Sequence, residues 1–319
     1  MFFAPNQLHI PDGFLSTPVA IVGWVIALVM IGVALRQTNR QMGERQIPIM
    51  GVLAAFIFAA QAINFPVAAG TSGHLLGGAI AAIVMGPWAA TLIMTAVIAI
   101  QGLLFQDGGL VVMGWNILNM GVFTAFTGYA VYSLVMRVIG QNRGARLGGA
   151  FLGAWVSVVV GAIATSFELA VSGTSPLNLA LPAMAGVHAL IGLGEGVITV
   201  GAVSFLLASR PEILQEAEVA PGRRGANLMV GGLLVAVLVA AFSPLASASP
   251  DGLEKVAEEL GFLALGESPV YEILPDYTIP FIGNEALTTI FAVVVGTILV
   301  FGVAWLLGRR WTQSQAAGD

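Results

Sequence analysis

Long apolar runs, broken by short clusters of glycine, proline and charge, set the pattern of this 319-residue chain. About 20 consecutive apolar residues cross the hydrocarbon of a bilayer as a helix. On that rule the pattern predicts spans at 18–35, 47–66, 73–86, 88–105, 115–136, 147–171, 182–208, 226–245 and 286–308. The third is short and meets the fourth at Gly86-Pro87, a helix-breaking corner. A membrane β-barrel would show alternating segments of about ten residues, and these runs are longer and continuous. The fold class expected is an all-α polytopic membrane protein of nine transmembrane helices.

The same pattern divides the chain. Spans one to seven fill residues 1–210 and give way to a polar linker, 211–225, that holds Pro211, Glu212, Glu216, Glu218 and Pro221. Residues 226–319 form a two-span unit with one long loop, 246–285. Within that loop Ser249-Pro250-Asp251-Gly252-Leu253-Glu254 reads as a helix start, with Ser249 as cap and Pro250 at the first position. Leu253, Val256 and Leu260 make an apolar stripe on that helix, and Glu254, Glu258 and Glu259 lie off it. The plain reading is a solvated amphipathic helix, and the functional one is an acidic mouth that concentrates cations.

Charge orients the spans. With the N-terminus outside and nine crossings, eleven of the twelve basic residues fall inside: Arg36, Arg40, Arg45, Arg137, Arg143, Arg146, Arg210, Arg223, Arg224, Arg309 and Arg310. Lys255 alone lies outside, together with ten of the seventeen acids. That partition follows the positive-inside rule, so the C-terminus is expected in the cytoplasm. Composition agrees, with 57% hydrophobic and 9% charged residues, 40 glycines and a mean hydropathy of +0.92. Soluble domains carry about 25% charge. Residues 1–17 have no basic segment of the kind that opens a secretory signal. Nothing in the charge pattern suggests nucleic acid.

Three histidines carry the candidate chemistry: His9, His74 and His188. His9 precedes Pro11-Asp12-Gly13, a turn signal in which proline presets φ, aspartate bonds amides and glycine tolerates φ > 0. The segment therefore bends back toward the bundle. His74 opens the third span within Gly70-Thr71-Ser72-Gly73-His74-Leu75-Leu76-Gly77-Gly78, where the glycines leave room for another backbone. His188 lies about 9 Å below the outer start of its span, at 1.5 Å per residue. All three belong to the outer half of the molecule. A chain with no cysteine offers no thiolate, so the site is rich in nitrogen and suits Ni, Co, Cu or Zn rather than Mg or Ca. Packed, hydrogen-bonded histidines are the bland alternative.

Within the spans the acids are Glu168 and Glu195, functional candidates by position. Both could equally hold helices together by pairing with Asn64, Asn116 or Asn119. Glu195 follows His188 by seven residues and shares its face.

His9-Ile10-Pro11-Asp12-Gly13-Phe14-Leu15, Asn64-Phe65-Pro66 and the glycine-flanked His74 motif together resemble the CbiM/NikM family. Its members are the substrate-binding membrane components of energy-coupling-factor uptake transporters for cobalt and nickel. The resemblance covers residues 8–210, supported by Val187 to Gly196. The tail, with Ser249 to Glu254 and Gly261-Phe262, resembles the PDGLE or NikN-type partner. The resemblance implies that the N-terminus inserts into the bundle and that four nitrogens hold the transported Co2+ or Ni2+. They are a terminal amine, the next backbone amide nitrogen, the imidazole of that residue (His9) and an imidazole on a later helix (His74). His188 is a further candidate ligand, with Pro11, Asp12, Gly13, Asn64, Gly73 and Glu195 in support.

The family motif begins Met-His, whereas here Met1 to Gln7 stand before Leu8-His9. Leucine is what TTG or CTG would encode, and both codons can initiate translation in bacteria. The expectation is a natural start at Leu8, read as methionine.

The function expected is metal capture by the permease component of an ATP-driven importer in the bacterial plasma membrane, with no catalytic residues and no resident cofactor. The chain has no phosphate-binding Gly-x-x-x-x-Gly-Lys-Ser/Thr loop, so ATPase subunits and a coupling transmembrane subunit are the implied partners, besides membrane lipid. Two rivals are an ion-coupled transporter or channel using Glu168 and Glu195, and an intramembrane metal-dependent hydrolase.

Overall fold

The computed structural model describes residues 9–41, 43, 46–68, 70–209 and 223–316. The first unit holds α1 (Thr17–Gln41), α2 (Ile47–Gln61), α3 (Gly78–Met85), α4 (Pro87–Phe105), α5 (Met113–Ile139), α6 (Arg143–Ser172) and α7 (Leu177–Ser209). Between α2 and α3 a two-residue hairpin pairs β1 (Phe65–Pro66) antiparallel with β2 (Ser72–Gly73). The second unit holds α8 (Arg223–Ala240), α9 (Gly252–Leu260) and α10 (Glu285–Ala316).

Among the described residues, six helices are long and apolar enough to cross a membrane: α1, α4, α5, α6, α7 and α10. Their outward faces are apolar where a soluble protein would be polar, as with Ile21, Val25, Leu28 and Val29 of α1. In lipid no hydrophobic force separates such a face from its surroundings, so helices associate by close packing of small residues. A Cβ on Gly128 of α5 would stand 2.6 Å from Cβ of Ala79 in α3, and one on Gly153 of α6 would stand 2.6 Å from the Gly128 carbonyl oxygen. Of these six helices α4 is the most enclosed, and it anchors the main core with Ile57, Phe58, Ile93, Met94, Phe105 and Tyr277.

The expected third span, 73–86, is corrected. Residues 73–77 are not helical and α3 has eight residues, a rise of about 12 Å against a hydrocarbon core of about 30 Å. Gly77 takes φ +83° and stops the helix from extending backward. The expected second span, 47–66, ends at Gln61, because residues 65–66 turn into the hairpin. Hydropathy could not separate these segments from spans, since they are apolar and buried while lacking helical backbone. The Gly86-Pro87 corner is present, with Pro87 opening α4.

The second unit leans on the first. α8 and α10 pack on α2, and α10 also packs on α4. Loop 246–285 lies over the hairpin and the N-terminal segment. Ser247 N–H donates to the Asn64 carbonyl at 2.8 Å, Ser72 N–H to the Pro250 carbonyl at 2.8 Å, and Glu267 N–H to the Asp12 carbonyl at 2.8 Å. The cap of α9 differs from expectation: Asp251, not Ser249, accepts from the Glu254 amide at 2.7 Å, and the helix begins at Gly252. Ser249 and Pro250 are held outside the helix because Ser72 binds their carbonyls. The stripe of Leu253 and Val256 is buried as its spacing suggested, so α9 is a docked helix rather than a solvated one.

Candidate metal centre

The N-terminal segment is fixed by four sets of polar contacts. Its turn closes locally, with Phe14 N–H on the Pro11 carbonyl and Gly13 at φ +91°. The Asp12 carboxylate reaches across to the start of α5, where it accepts from the amides of Leu110 (3.0 Å), Val111 (2.9 Å) and Val112 (3.1 Å). A carboxylate suits this place, because these amides stand just ahead of α5 and need an acceptor from outside its helical hydrogen bonds. Asn116 brackets Ile10 on both sides, accepting from its N–H and donating to its carbonyl, each at 3.1 Å. The Thr174 hydroxyl donates to the Phe14 carbonyl from the other side.

That anchorage places His9 inside the bundle, 3% exposed. Its ring centroid is 5.8 Å from that of His74, and the planes are nearly perpendicular at 88°. Gly108 makes the approach possible, since a Cβ there would lie 2.7 Å from Cβ of His9. The glycines flanking His74 do something else: a Cβ on Gly73 would strike Ile191 of α7 at 2.6 Å.

The three histidines share one tautomer. Nδ1 of His9 lies 2.9 Å from the Asp107 carbonyl oxygen, that of His74 3.0 Å from the Leu75 carbonyl, and that of His188 2.8 Å from the Met184 carbonyl. A carbonyl only accepts, so each Nδ1 carries the proton and each lone pair sits on Nε2. Nε2 of His9 is buried without a hydrogen-bond partner. All three rings line one chamber of about 70 Å³, with Asn116, Asn119 and Asp251.

Asp107 also holds His9 with its side chain, Oδ1 lying 3.3 Å from Nδ1. Tyr277 donates its hydroxyl to the other carboxylate oxygen at 2.6 Å, and Gln101 donates to Tyr277 at 3.3 Å. Burial lowers the affinity of the His9 ring for a second proton, but the Asp107 carboxylate outweighs it and leaves the pKa raised. Asp251 shows the reverse balance. Burial pushes its carboxyl up to about 7, against the pull of the Glu254 amide and of His9.

Glu195 supports the His74 segment directly. Its two oxygens accept from the Leu76 amide at 2.6 Å and the Gly77 amide at 2.9 Å, immediately after His74. Gln61 donates to the Leu76 carbonyl at 2.8 Å. Glu168 instead accepts from the Asn119 side chain at 3.0 Å. Of the asparagine partners weighed for these acids, Asn119 alone makes such a contact, and Asn64 serves the loop of the second unit. Pro11 faces an outer cavity rather than the chamber.

Gly252 marks where the second unit closes on the chamber. A Cβ there would stand 2.7 Å from Cδ1 of Ile191 and 2.8 Å from Cε1 of His188. Gly252→Ala is expected to lower stability by about 1–3 kcal/mol through overpacking, measured by thermal unfolding in detergent. Faster proteolytic cutting in 246–285 should accompany it.

Sequence reading missed Asp107, Asn116, Asp251, Gly108 and Tyr277. Asp107-Gly108-Gly109 sits in the short outer connection between α4 and α5, and a lone acid beside two glycines was the available signal. Among the described residues no three His, Asp or Glu side chains are close enough to hold a metal ion by themselves. Met1 to Leu8, and with them the expected start, lie outside the described residues.

Family comparisons point the same way. Residues 9–213 match the model for CbiM, the cobalt uptake substrate-specific transmembrane region, and residues 226–312 match the PDGLE domain. The NikMN chain of Archaeoglobus fulgidus is 37% identical over 305 residues, 95% of this chain and 98% of that one. The fused nickel transport protein NikMN of Rhodobacter capsulatus is 30% identical, again over 95% and 98% of the two chains. A crystal structure described as a truncated transition metal transporter superposes with a TM-score of 0.57 at 33% identity, covering 63% of this chain and 98% of that one. The chain thus belongs to the CbiM family, with its CbiM region continued into a PDGLE domain in one polypeptide.

Proposed function

We propose that this protein captures Co2+ or Ni2+ for an energy-coupling-factor importer and serves as its substrate-specific permease, without catalysing a reaction itself. The observation that carries the reading is the buried, unpartnered Nε2 of His9, a residue that lines one chamber with His74 and His188. A buried nitrogen lone pair without a donor is costly unless a ligand takes it up. A set of imidazoles without thiolates suits borderline divalent ions. Among the described residues side chains alone do not complete a metal site, and the other donors in this reading, a backbone nitrogen and a terminal amine, are those the family resemblance implies.

A histidine amide nitrogen and its own imidazole reach one ion through Nδ1, because Nε2 points away from the backbone. For that set the His9 ring turns off Asp107 when the ion binds. If the ring stays, Nε2 of His9 binds opposite His74. The seven-helix region 1–210 is the metal-binding part in this reading, and 226–319 is its accessory two-span unit. With the N-terminus outside, as the charge pattern suggests, the chamber lies on the external side, where an importer takes up substrate. Lacking a nucleotide-binding loop, the chain draws on separate ATPase and coupling subunits.

The test is nickel and cobalt binding to two tag-free forms, the full chain and one beginning with methionine in place of Leu8. Tight binding by the short form alone supports the amine-bearing site. Equal binding by both makes the amine dispensable and raises His188 to a ligand. No binding by either form overturns the metal reading. The ion-coupled rival, with Glu168 and Glu195 as relay, is weaker because Glu195 spends both oxygens on backbone amides.

A further inference from the structure

Tyr277 brings a side chain of the second unit into the hydrogen bonds around His9. It is 1% exposed and stacks on Phe105 of α4, with ring centroids 4.6 Å apart and planes 20° apart. The last turn of α4, Gln101–Phe105, is π-helical, and Gln101 donates to the Tyr277 hydroxyl from it. Single π-helical turns are frequent at functional sites. The preceding loop residues dock on the same helix end, whose last carbonyls lack intrahelical donors. The Tyr271 hydroxyl donates to the Leu103 carbonyl and Leu274 N–H to the Leu104 carbonyl, each at 2.9 Å. Asp276 and Tyr277 take φ +48° and +55°, left-handed backbone that a bulky side chain rarely adopts. Two strained residues in a row thus turn the phenol inward, onto Asp107.

We propose that Tyr277 is a positioning residue for the metal, supplied by the second unit and acting through Asp107 on His9. The inference rests on the metal-capture reading above, in the arrangement where Nε2 of His9 binds the ion. The terminal torsion of an aspartate is broad, so a carboxylate held at one oxygen only can swing. Tyr277 donates to Oδ2 at 2.6 Å, and that leaves Oδ1 facing Nδ1 of His9 at 3.3 Å. Asp107 then grips the ring with its carboxylate and with its backbone carbonyl, the latter at 2.9 Å. A carboxylate behind a ligating imidazole fixes its tautomer and orientation and raises the basicity of the nitrogen that meets the metal. Loss of such a partner costs about 10- to 100-fold in metal affinity.

Tyr277→Phe tests this, because it keeps the stacked ring and deletes only the hydroxyl. Nickel affinity is measured by titration on whichever start form binds, for wild type, Y277F, D107A and the double variant, with stoichiometry counting the folded population. D107A keeps the backbone carbonyl that holds His9. Y277F is expected to weaken affinity about tenfold in the wild-type background at unchanged stoichiometry. In the D107A background it should change affinity by less than about twofold, since the hydroxyl then has no carboxylate to act through. A Y277F affinity within about twofold of wild type, or a tighter one, overturns the proposal and leaves the histidine site standing. Equal losses in both backgrounds also overturn it, because they make Tyr277 a packing residue that does not act through Asp107. If neither start form binds nickel, the metal-capture reading fails and this inference with it.

Discussion

Alanine in place of His9 is expected to leave no nickel or cobalt binding detectable by titration calorimetry at micromolar metal. Asp12→Ala should weaken binding by about 10- to 100-fold while leaving every nitrogen donor in place. The first loss follows from removing the buried nitrogen around which the chamber is built. The second follows from the anchorage of its backbone. Three amides at the start of α5 donate to the Asp12 carboxylate, and hydrogen bonds to a charged group contribute roughly 1.5–3 kcal/mol each. Without them the segment keeps Asn116 on Ile10, Thr174 on Phe14 and the Glu267 amide on the Asp12 carbonyl, but the turn loses its side-chain tie to the segment that leads into α5. Asp12→Asn should fall between, since its amide oxygen accepts from one or two of the three donors. If Asp12→Ala binds metal like wild type, the N-terminal segment is not what positions the ion.

Glu195→Ala should lower nickel affinity by about 10- to 100-fold and reduce stability by about 2–4 kcal/mol. It strips acceptors from two buried amides, Leu76 and Gly77, next to His74. Glu195→Gln is the informative companion. Its oxygen satisfies one amide while its NH2 group meets the other, so affinity and stability should drop together by an intermediate amount. A proton relay predicts another outcome, in which Glu195→Gln stops transport and leaves equilibrium metal binding untouched. Measuring binding and uptake on the same variant separates the two.

Much of this was legible beforehand because its causes are local. Apolar runs identify α1, α4 to α7 and α10, and Pro11-Asp12-Gly13 marks the turn that sends His9 inward. The gathering of three histidines followed from placing each on the outer side of its span. What escaped depends on partners far along the chain. Asp12 looked like a residue that bonds its own turn, yet its acceptor role is filled by amides about a hundred positions away. Asp107 and Tyr277 are 170 residues apart and carry no shared motif. The segment before α3 was misread for a different reason: burial inside a bundle makes irregular backbone as apolar as a span.

The few backbone contacts between the hairpin and the loop of the second unit have a consequence for how the two halves are joined. Ser72 and Asn64 tie 247–250 to the hairpin by hydrogen bonds, while α8 and α10 pack on α2, so the cover over the histidines is held at two separate places. Joining the two units in one polypeptide adds to this, because covalently linked binding surfaces meet at an effective local concentration of roughly millimolar order. Dividing the polypeptide between the two units would leave the contacts named above in place. The cover over the histidines would nonetheless come and go with the expression level of its detached half.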